Sequence, residues 1–229
     1  MTEKTAAKTA AAPPASPAVA EFELHAGRGR FNAAFFRVMA PYLERTLRPR
    51  KRRVFADLPP RVVEIGSGVG ANLRYLPRDA TLVAIEPNRY MHPRLRAAAH
   101  RQHVRLDLRE RMAEQTGLPD DSVDTVISSL VLCSVDDPAA VLAEIRRILR
   151  PGGTFRFVEH VVAKNGTATR AVQRALRRPW AWTFEGCSCE RDLESDVRAA
   201  GFASVDIERY RIHTPFVPFN THIAGTATA

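Results

Sequence analysis

Short apolar runs rich in valine and isoleucine alternate with longer polar stretches from residue 61 to the C-terminus. Residues 61–65, 81–86, 103–107, 123–129 and 153–160 are too short for helices and have the β-branched character of strands. Between them, residues 70–76, 89–100 and 137–149 read as helices. Strands separated by helices imply a parallel sheet with right-handed crossovers. The end of the chain breaks this rhythm. A helix at 190–200 is followed by strands at 204–210 and about 222–228, joined through Thr214-Pro-Phe-Val-Pro-Phe219. That connection is too short for a crossover helix, so the last two strands should pair antiparallel. An insertion at Lys164–Gly186, expected to be mobile, holds a helix at Thr169–Leu176 and both tryptophans.

Upstream of the strands, Phe35, Val38, Met39, Tyr42, Leu43 and Leu47 fall at helical intervals. They predict an amphipathic helix over about residues 31–48, which either caps a cleft or packs on the sheet. Residues 1–20 are rich in Ala, Thr, Pro and Lys and hold almost no large apolar side chains. Such a segment cannot offset its ordering entropy and is expected to be a disordered tail. Residues 21–229 then form a single domain.

Chemistry concentrates where the first strand ends. Arg61-Val-Val-Glu-Ile65 runs directly into Gly66-Ser-Gly-Val-Gly70. Glycines at a strand-to-helix turn allow positive φ and close approach of backbone to a ligand, and a following helix would offer free N–H groups. A nucleoside-bearing cofactor is expected on this edge of the sheet. Gly66-x-Gly68-x-x-Ala71 also satisfies a dinucleotide fingerprint, and Glu86, at the end of the second strand, sits where a ribose-binding acid belongs in either case. Glu64, inside the strand, favours a cationic ligand over an anionic pyrophosphate. Its alternative is an ion pair with a neighbouring arginine.

Further motifs narrow the choice. Asp120–Ser129 is a turn feeding a buried strand, followed by Leu130-Val-Leu-Cys-Ser-Val135 and, after a helix, by Leu149-Arg-Pro-Gly-Gly-Thr-Phe-Arg-Phe-Val-Glu-His160. In this order the motifs resemble the class I S-adenosylmethionine-dependent methyltransferases, with Asp124 on the strand and the LRPGG turn as recurrent marks. SSLVLCSV, VEHV at 158–161, WAWTFEGC at 180–187 and the C-terminal HIAGTATA are similar to the alkyl-thiol methyltransferase group and its bacterial relatives. The likeness covers nearly everything after residue 60.

The resemblance implies a Rossmann-like, doubly wound seven-stranded sheet of order 3-2-1-4-5-7-6, mostly parallel with the last strand antiparallel, and S-adenosylmethionine as cofactor. It implies that Gly66, Ser67, Gly68, Gly70 and Asn72 pass beneath the methionine and ribose. Glu86 and Pro87 would take the ribose hydroxyls, and Met112, Ala113 and Glu114 the adenine. Leu130 and Val131 would wall the methionine end, with Glu64 nearby. The acceptor would lie between the N-terminal helix and the insertion, against Phe31, Phe35, Trp180, Trp182 and Phe184.

His160, at the carboxyl end of the fifth strand, is the candidate base, with Glu159 behind it. Methyl transfer is an in-line displacement at an activated carbon, so the protein must hold the partners, exclude water and ready the nucleophile. The expected acceptor is a small molecule, a thiol first. A phospholipid amine or a quinone or secondary metabolite (N-, C- or O-methylation) follows, and a nicotinamide-dependent reductase is the alternative from another class.

Composition changes this picture little. The net charge of +9 and pI near 10.2 raise the question of anionic partners. The densest basic cluster is Arg45, Arg48, Arg50, Lys51, Arg52 and Arg53. It reads as a solvated face or linker, or as a surface that meets an anionic membrane or steers an anionic substrate. Without interleaved aromatics it does not suit single-stranded nucleic acid. Cys133, Cys187 and Cys189 are too few and too irregularly spaced for a disulfide framework or a zinc motif, and are expected to be packed thiols, so no metal is expected. No apolar run approaches the roughly 18 residues of a membrane span, and a cytoplasmic location is expected.

Overall fold

Val62, Val63, Glu64 and Ile65 are all buried, as a strand covered on both faces requires. In the computed structural model, which describes residues 26–184 and 186–229, this strand is β1 (Arg61–Ile65) at the centre of a seven-stranded sheet. The other strands are β2 (Thr81–Ile85), β3 (Arg105–Arg109), β4 (Val123–Ser129), β5 (Leu149–His160), β6 (Ser204–Arg211) and β7 (Thr221–Thr228). Their order is β3-β2-β1-β4-β5-β7-β6, as expected. β1 through β5 pair in parallel, and β7 runs antiparallel to both β5 and β6. The expected disordered tail lies outside the described residues.

Alternate residues of each strand feed opposite faces. Val63, Ile65, Val126, Phe155 and Phe157 pack with α3 (Pro138–Ile148) and α5 (Leu193–Ala199) through Val141, Ile145, Leu193 and Val197. Val62, Leu82, Ala84, Ile127 and Val158 pack on the other side with α1 (Ala26–Val54) and α2 (His92–Arg101) through Leu47, Val54, Leu95 and Ala99. α3 begins at a proline behind Asp137, whose carboxylate accepts the N–H groups of Ala139 and Ala140.

The helices depart from the sequence reading in physically legible ways. Residues 70–76 do not form an α-helix. Only a 3-10 turn, Leu73–Tyr75, is present, held by short-range bonds such as Tyr75 N–H to Asn72 O. Pro77 drives Leu76 to an extended conformation and ends the turn before an α-helical ladder can begin. α1 runs to Val54, past the expected end, because Lys51, Arg52 and Arg53 suit a helix C-terminus. The insertion after β5 is mostly one helix, α4 (Ala168–Thr183), which starts at a Thr167 cap and continues through Pro179. β5 begins at Leu149 rather than 153, with a register irregularity opposite Val123 and Thr125.

Gly225 sits on β7, opposite Phe157 of β5 and Ile207 of β6. A Cβ there would lie 2.2 Å from the Asp206 carbonyl oxygen and 3.0 Å from the Phe157 ring. Gly225→Ala should therefore cost about 2–3 kcal/mol through overpacking. For a chain of this size that corresponds to a fall in Tm of roughly 5–10 °C. A Tm within a degree of the parent would contradict the tight packing described for this strand.

Candidate active site

The carboxyl ends of β1, β2, β4 and β5 converge on a cavity of about 240 Å³, roofed by α1 and α4. Ligands in open α/β sheets settle at such ends. The glycine loop forms its floor. Gly66 N–H donates to Ile85 O at 2.8 Å, and the chain turns through Gly66 at φ +64°. A Cβ on Gly66 would stand 2.3 Å from Val131 Cγ2, so the loop after β1 and the loop after β4 touch where only glycine fits.

The loop after β4 is strained and pinned. Leu130 adopts φ +63°, a conformation that costs a non-glycine residue about 1–3 kcal/mol. Leu130 N–H bonds Val158 O at 3.0 Å, and Val131 N–H bonds the Glu159 carboxylate at 2.9 Å. Glu159 also accepts from Ser128 Oγ at 2.7 Å. It is fully buried, and that burial pushes its pKa up to about 7 against the pull of these hydrogen bonds. Glu159 does not line the cavity. It fixes the turn that presents Leu130 and Val131, which do.

Glu86 faces the cavity with Oε2 accepting Gly68 N–H at 2.7 Å and Oε1 accepting Asn88 N–H at 2.9 Å. Burial raises its pKa to about 7. Pro87, Met112, Ala113 and Glu114 line the adjoining wall, together with Ser67 and Gly68. Both carboxylate oxygens of Glu114 are buried without a hydrogen-bond partner, which leaves two acceptors directed at whatever occupies this end. Gly70 does not reach the cavity; its φ of +84° turns the chain toward Leu73 and Leu95.

Glu64 lies beneath the floor and does not line the cavity; Asn72, which does, connects it to the site. Asn72 Nδ2 donates to Glu64 at 2.7 Å, and Lys51 Nζ donates to Asn72 Oδ1 at 2.8 Å. Glu44 stands 3.8 Å from the same ammonium and accepts Tyr75 Oη at 2.5 Å. Burial raises Glu64 to about 6 and lowers Lys51. Lys51 was grouped by sequence with a solvated basic face, yet it is buried and lines the cavity. Its neighbours are also engaged: Arg48 pairs with Glu44, and Arg50 and Arg53 with Glu208. The signal was present in the spacing, since Glu44, Leu47, Lys51 and Val54 share one helical face.

Aromatic side chains from three segments build the opposite wall. Phe35 of α1 packs against Phe184 (ring centroids 5.1 Å apart) and Phe216 (6.3 Å), and Trp180 against Phe184 (4.6 Å). All four line the cavity. Trp182 and Phe31 do not; they are 70% and 50% exposed. Trp182 is two residues from Trp180 on the same helix, a rotation of roughly 200°, so both cannot face inward. Phe216 and Phe219 were missed by sequence because they sit in the short connection before β7.

At the deep end, His160 is fully buried and lines the cavity, with Nδ1 3.8 Å from Cys187 Sγ. Cys187 Sγ lies 3.4 Å from Cys133 Sγ and accepts Trp180 Nε1–H at 3.4 Å. The contact with Cys133, then the charge and hydrogen bond of His160, outweigh burial and make Cys187 the more acidic thiol. Cys133 is pushed up by the same contact and by burial. These three residues come from 27 or more positions apart in the chain, so no local spacing marks them. Cys189 stands apart, against Gln173 O.

These groups fit S-adenosylmethionine better than a dinucleotide. A pyrophosphate needs a helix N-terminus behind the glycines, and here only a 3-10 turn follows them. The buried acceptors Glu86 and Glu114 instead suit the hydroxyl and amino donors of a nucleoside, in a cavity whose acidic groups favour a cation.

The family model described as a methyltransferase domain matches residues 63–157. The chain is similar to the human thiol S-methyltransferase TMT1B, with 31% identity over 204 residues, covering 83% of this chain and 82% of that protein. It is likewise similar to the human thiol S-methyltransferase TMT1A, with 31% identity over 192 residues and 78% of each chain covered. Among solved structures it resembles an S-adenosylmethionine-dependent methyltransferase of Thermotoga maritima, a possible histamine N-methyltransferase. There the TM-score is 0.61 at 19% identity, covering 87% of this chain and 96% of that one.

Lys51→Met should destabilise the fold by about 3 kcal/mol near pH 8, because it strips a buried carboxylate chain of its cation. The loss should shrink below about pH 6, where Glu64 carries a proton and no longer needs that compensation. Denaturant unfolding of both proteins at the two pH values measures the difference. An equal loss at both would break the assigned link between Lys51 and Glu64.

Proposed function

This chain belongs to the S-adenosylmethionine-dependent methyltransferases and uses that cofactor; from this premise we propose that it methylates the sulfur of a small, largely apolar thiol. The nicotinamide-dependent alternative is set aside by the family and by the missing helix behind the glycine loop.

The observation that carries the acceptor class is the polarity of the cavity's two ends. The carboxylates that line it, Glu44, Glu86 and Glu114, are tied to the glycine loop, its Lys51 neighbour and the Met112 segment. The far end offers Phe35, Trp180, Phe184 and Phe216 above His160, and among the described residues no carboxylate lines it to receive an ammonium. That favours a neutral, lipophilic acceptor over an amine. The thiol activity named for the human relatives supports the same choice.

S-adenosylmethionine, when bound, supplies an activated methyl carbon on a sulfonium. The protein's part is positioning and proton handling. Glu86 receives the ribose hydroxyls on the oxygen lone pairs that Gly68 and Asn88 leave open. Glu114 takes the adenine amino group, beside Met112 and Ala113. Leu130 and Val131, fixed by Glu159, shape the methionine end. Asn72, held between Lys51 and Glu64, presents polar atoms to the same region. The aromatic wall excludes water and holds the acceptor chain in line.

A thiol with pKa near 8.5 is mostly protonated at neutral pH. We assign to the His160 imidazole, which lines the cavity, the acceptance of that proton as the sulfur attacks, a role worth about 10²–10⁴-fold.

Two measurements test this reading. In a screen with labelled methyl donor against alkyl thiols, phosphatidylethanolamine and quinols, thiols should react fastest. His160→Ala should lower kcat on them by about 10²-fold or more, with S-adenosylhomocysteine affinity changed less than about twofold. Reaction of amines or quinols but of no thiol ends the thiol assignment, and unchanged turnover in the variant removes His160 from the chemistry.

The second concerns Glu86. Its ionised form accepts two hydroxyls, and with a pKa of about 7 that form is depleted as pH falls through neutrality. Affinity for S-adenosylhomocysteine should therefore weaken from about pH 8 to pH 6, approaching tenfold per unit at the lower end. The raised pKa also means that the free fold loses stability as pH rises through about 7. Stabilisation by the ligand should accordingly grow with pH over this range. Glu86→Gln should bind weakly and flatten both profiles; a parent profile that is already flat would exclude Glu86 from sugar binding.

A further inference from the structure

We propose that Cys133, Cys187 and His160 form a binding site for one divalent thiophilic cation of the zinc type, and that its occupancy blocks methyl transfer. The three donor atoms lie within 4.8 Å of one another, and all three residues are buried. Tetrahedral zinc, with bonds of about 2.3 Å to sulfur and about 2.0 Å to nitrogen, places its ligands roughly 3.5–3.8 Å apart. The Cys133–Cys187 separation is 3.4 Å and the Cys187–His160 Nδ1 separation 3.8 Å. Side-chain adjustments of under about an ångström would close the set.

Charge selects the class of ion. Two thiolates and a neutral imidazole cancel a divalent cation, so the filled site carries no net charge into a region where an unpaired charge is expensive. Sulfur with imidazole suits zinc-like ions over calcium or magnesium, which require oxygen ligands. The two thiols lose their protons to solvent as metal–sulfur bonds form, so uptake releases up to two protons.

A second observation concerns access. All three residues line the cavity, and His160 Nε2 is buried without a hydrogen-bond partner. Three protein ligands would leave one coordination position open, on a set of residues that all line the cavity. An acceptor thiol can enter that position, losing its proton to solvent as the metal–sulfur bond forms, and remain there as a held thiolate. Meanwhile the His160 nitrogen nearest the sulfurs is engaged by the metal and cannot take a proton. Blockade rests on the thiol-methylation reading above; metal binding does not.

The experiment separates the two. Chelator-treated protein, first shown to bind S-adenosylhomocysteine, is titrated with Co²⁺ as a spectroscopic stand-in, and Zn²⁺ is then added to displace it. One equivalent should bind with thiolate-to-cobalt charge-transfer absorption. Cys133→Ser and Cys187→Ser should each lose that absorption, while Cys189→Ser keeps it. Protein that binds S-adenosylhomocysteine but shows no such absorption overturns the site, as does equal uptake by both cluster variants. Zinc-loaded, desalted protein should turn over a test thiol at least about tenfold more slowly than the chelated form, with chelator restoring the rate. Undiminished turnover by the loaded protein overturns the blockade. If no thiol is ever methylated, the cobalt titration still decides the site.

Discussion

The Lys51 ammonium, buried among Glu44, Asn72 and the Glu64 carboxylate behind it, is the constraint on which the active region depends. A desolvated cation has no alternative partners, so these contacts must form together or not at all. Glu44 and Lys51 come from α1, Asn72 from the segment after the glycines, and Glu64 from the central strand. The cap helix can therefore sit over the cavity only when the glycine loop has the turn that places Asn72 beneath it. Phe35 lies on the same helix and helps build the aromatic wall. The position of the aromatic wall is thus inherited from the geometry of the glycine loop. A second tie at the helix end, from Arg50 and Arg53 to Glu208 of β6, anchors α1 to the far edge of the sheet.

Much of the fold was legible because strand signals here are local. A run such as Val62–Ile65 announces a doubly covered strand by composition alone, and the short Thr214–Phe219 link dictates an antiparallel return. The failures are equally specific. Residues 70–76 have acceptable helical composition, but six residues after Gly70 are too few before Pro77 for a stable helix, and a 3-10 turn wins. Lys51 was hidden by its charged neighbours, although its spacing from Leu47 and Val54 places it on the buried face. Trp180 and Trp182 looked alike in a segment thought to be mobile. Once α4 is continuous to Thr183, their separation of two residues sends them to opposite sides.

The cysteine and histidine cluster marks a limit of another kind. Cys133 follows β4, His160 ends β5 and Cys187 follows α4, so nothing in their sequence spacing connects them. Only the order of strands in the sheet, with β4 beside β5, brings the first two together. Tertiary convergence of this sort is a property of topology, and a motif search along the chain has no access to it.

One cavity thus carries two chemistries because its polar groups are unevenly supported. Glu64, Glu86 and Glu159 sit at the ends of β1, β2 and β5, each raised by burial to between about 6 and about 7. They are tolerated because each accepts hydrogen bonds from a fixed neighbour: Asn72, the Gly68 and Asn88 amides, or Ser128 and the Val131 amide. Such carboxylates are poised to ionise fully when positive charge arrives, which on the proposed reading would couple cofactor binding to proton release. Across the cavity no described acid lies among the aromatic rings, and the polar groups there are soft: sulfur and imidazole. On the proposed reading, a charged donor and a lipophilic acceptor would be sorted to opposite ends by desolvation before any specific contact is made. That sorting would bring the acceptor sulfur to the boundary between the two halves, where the proposed transfer requires the activated carbon to lie.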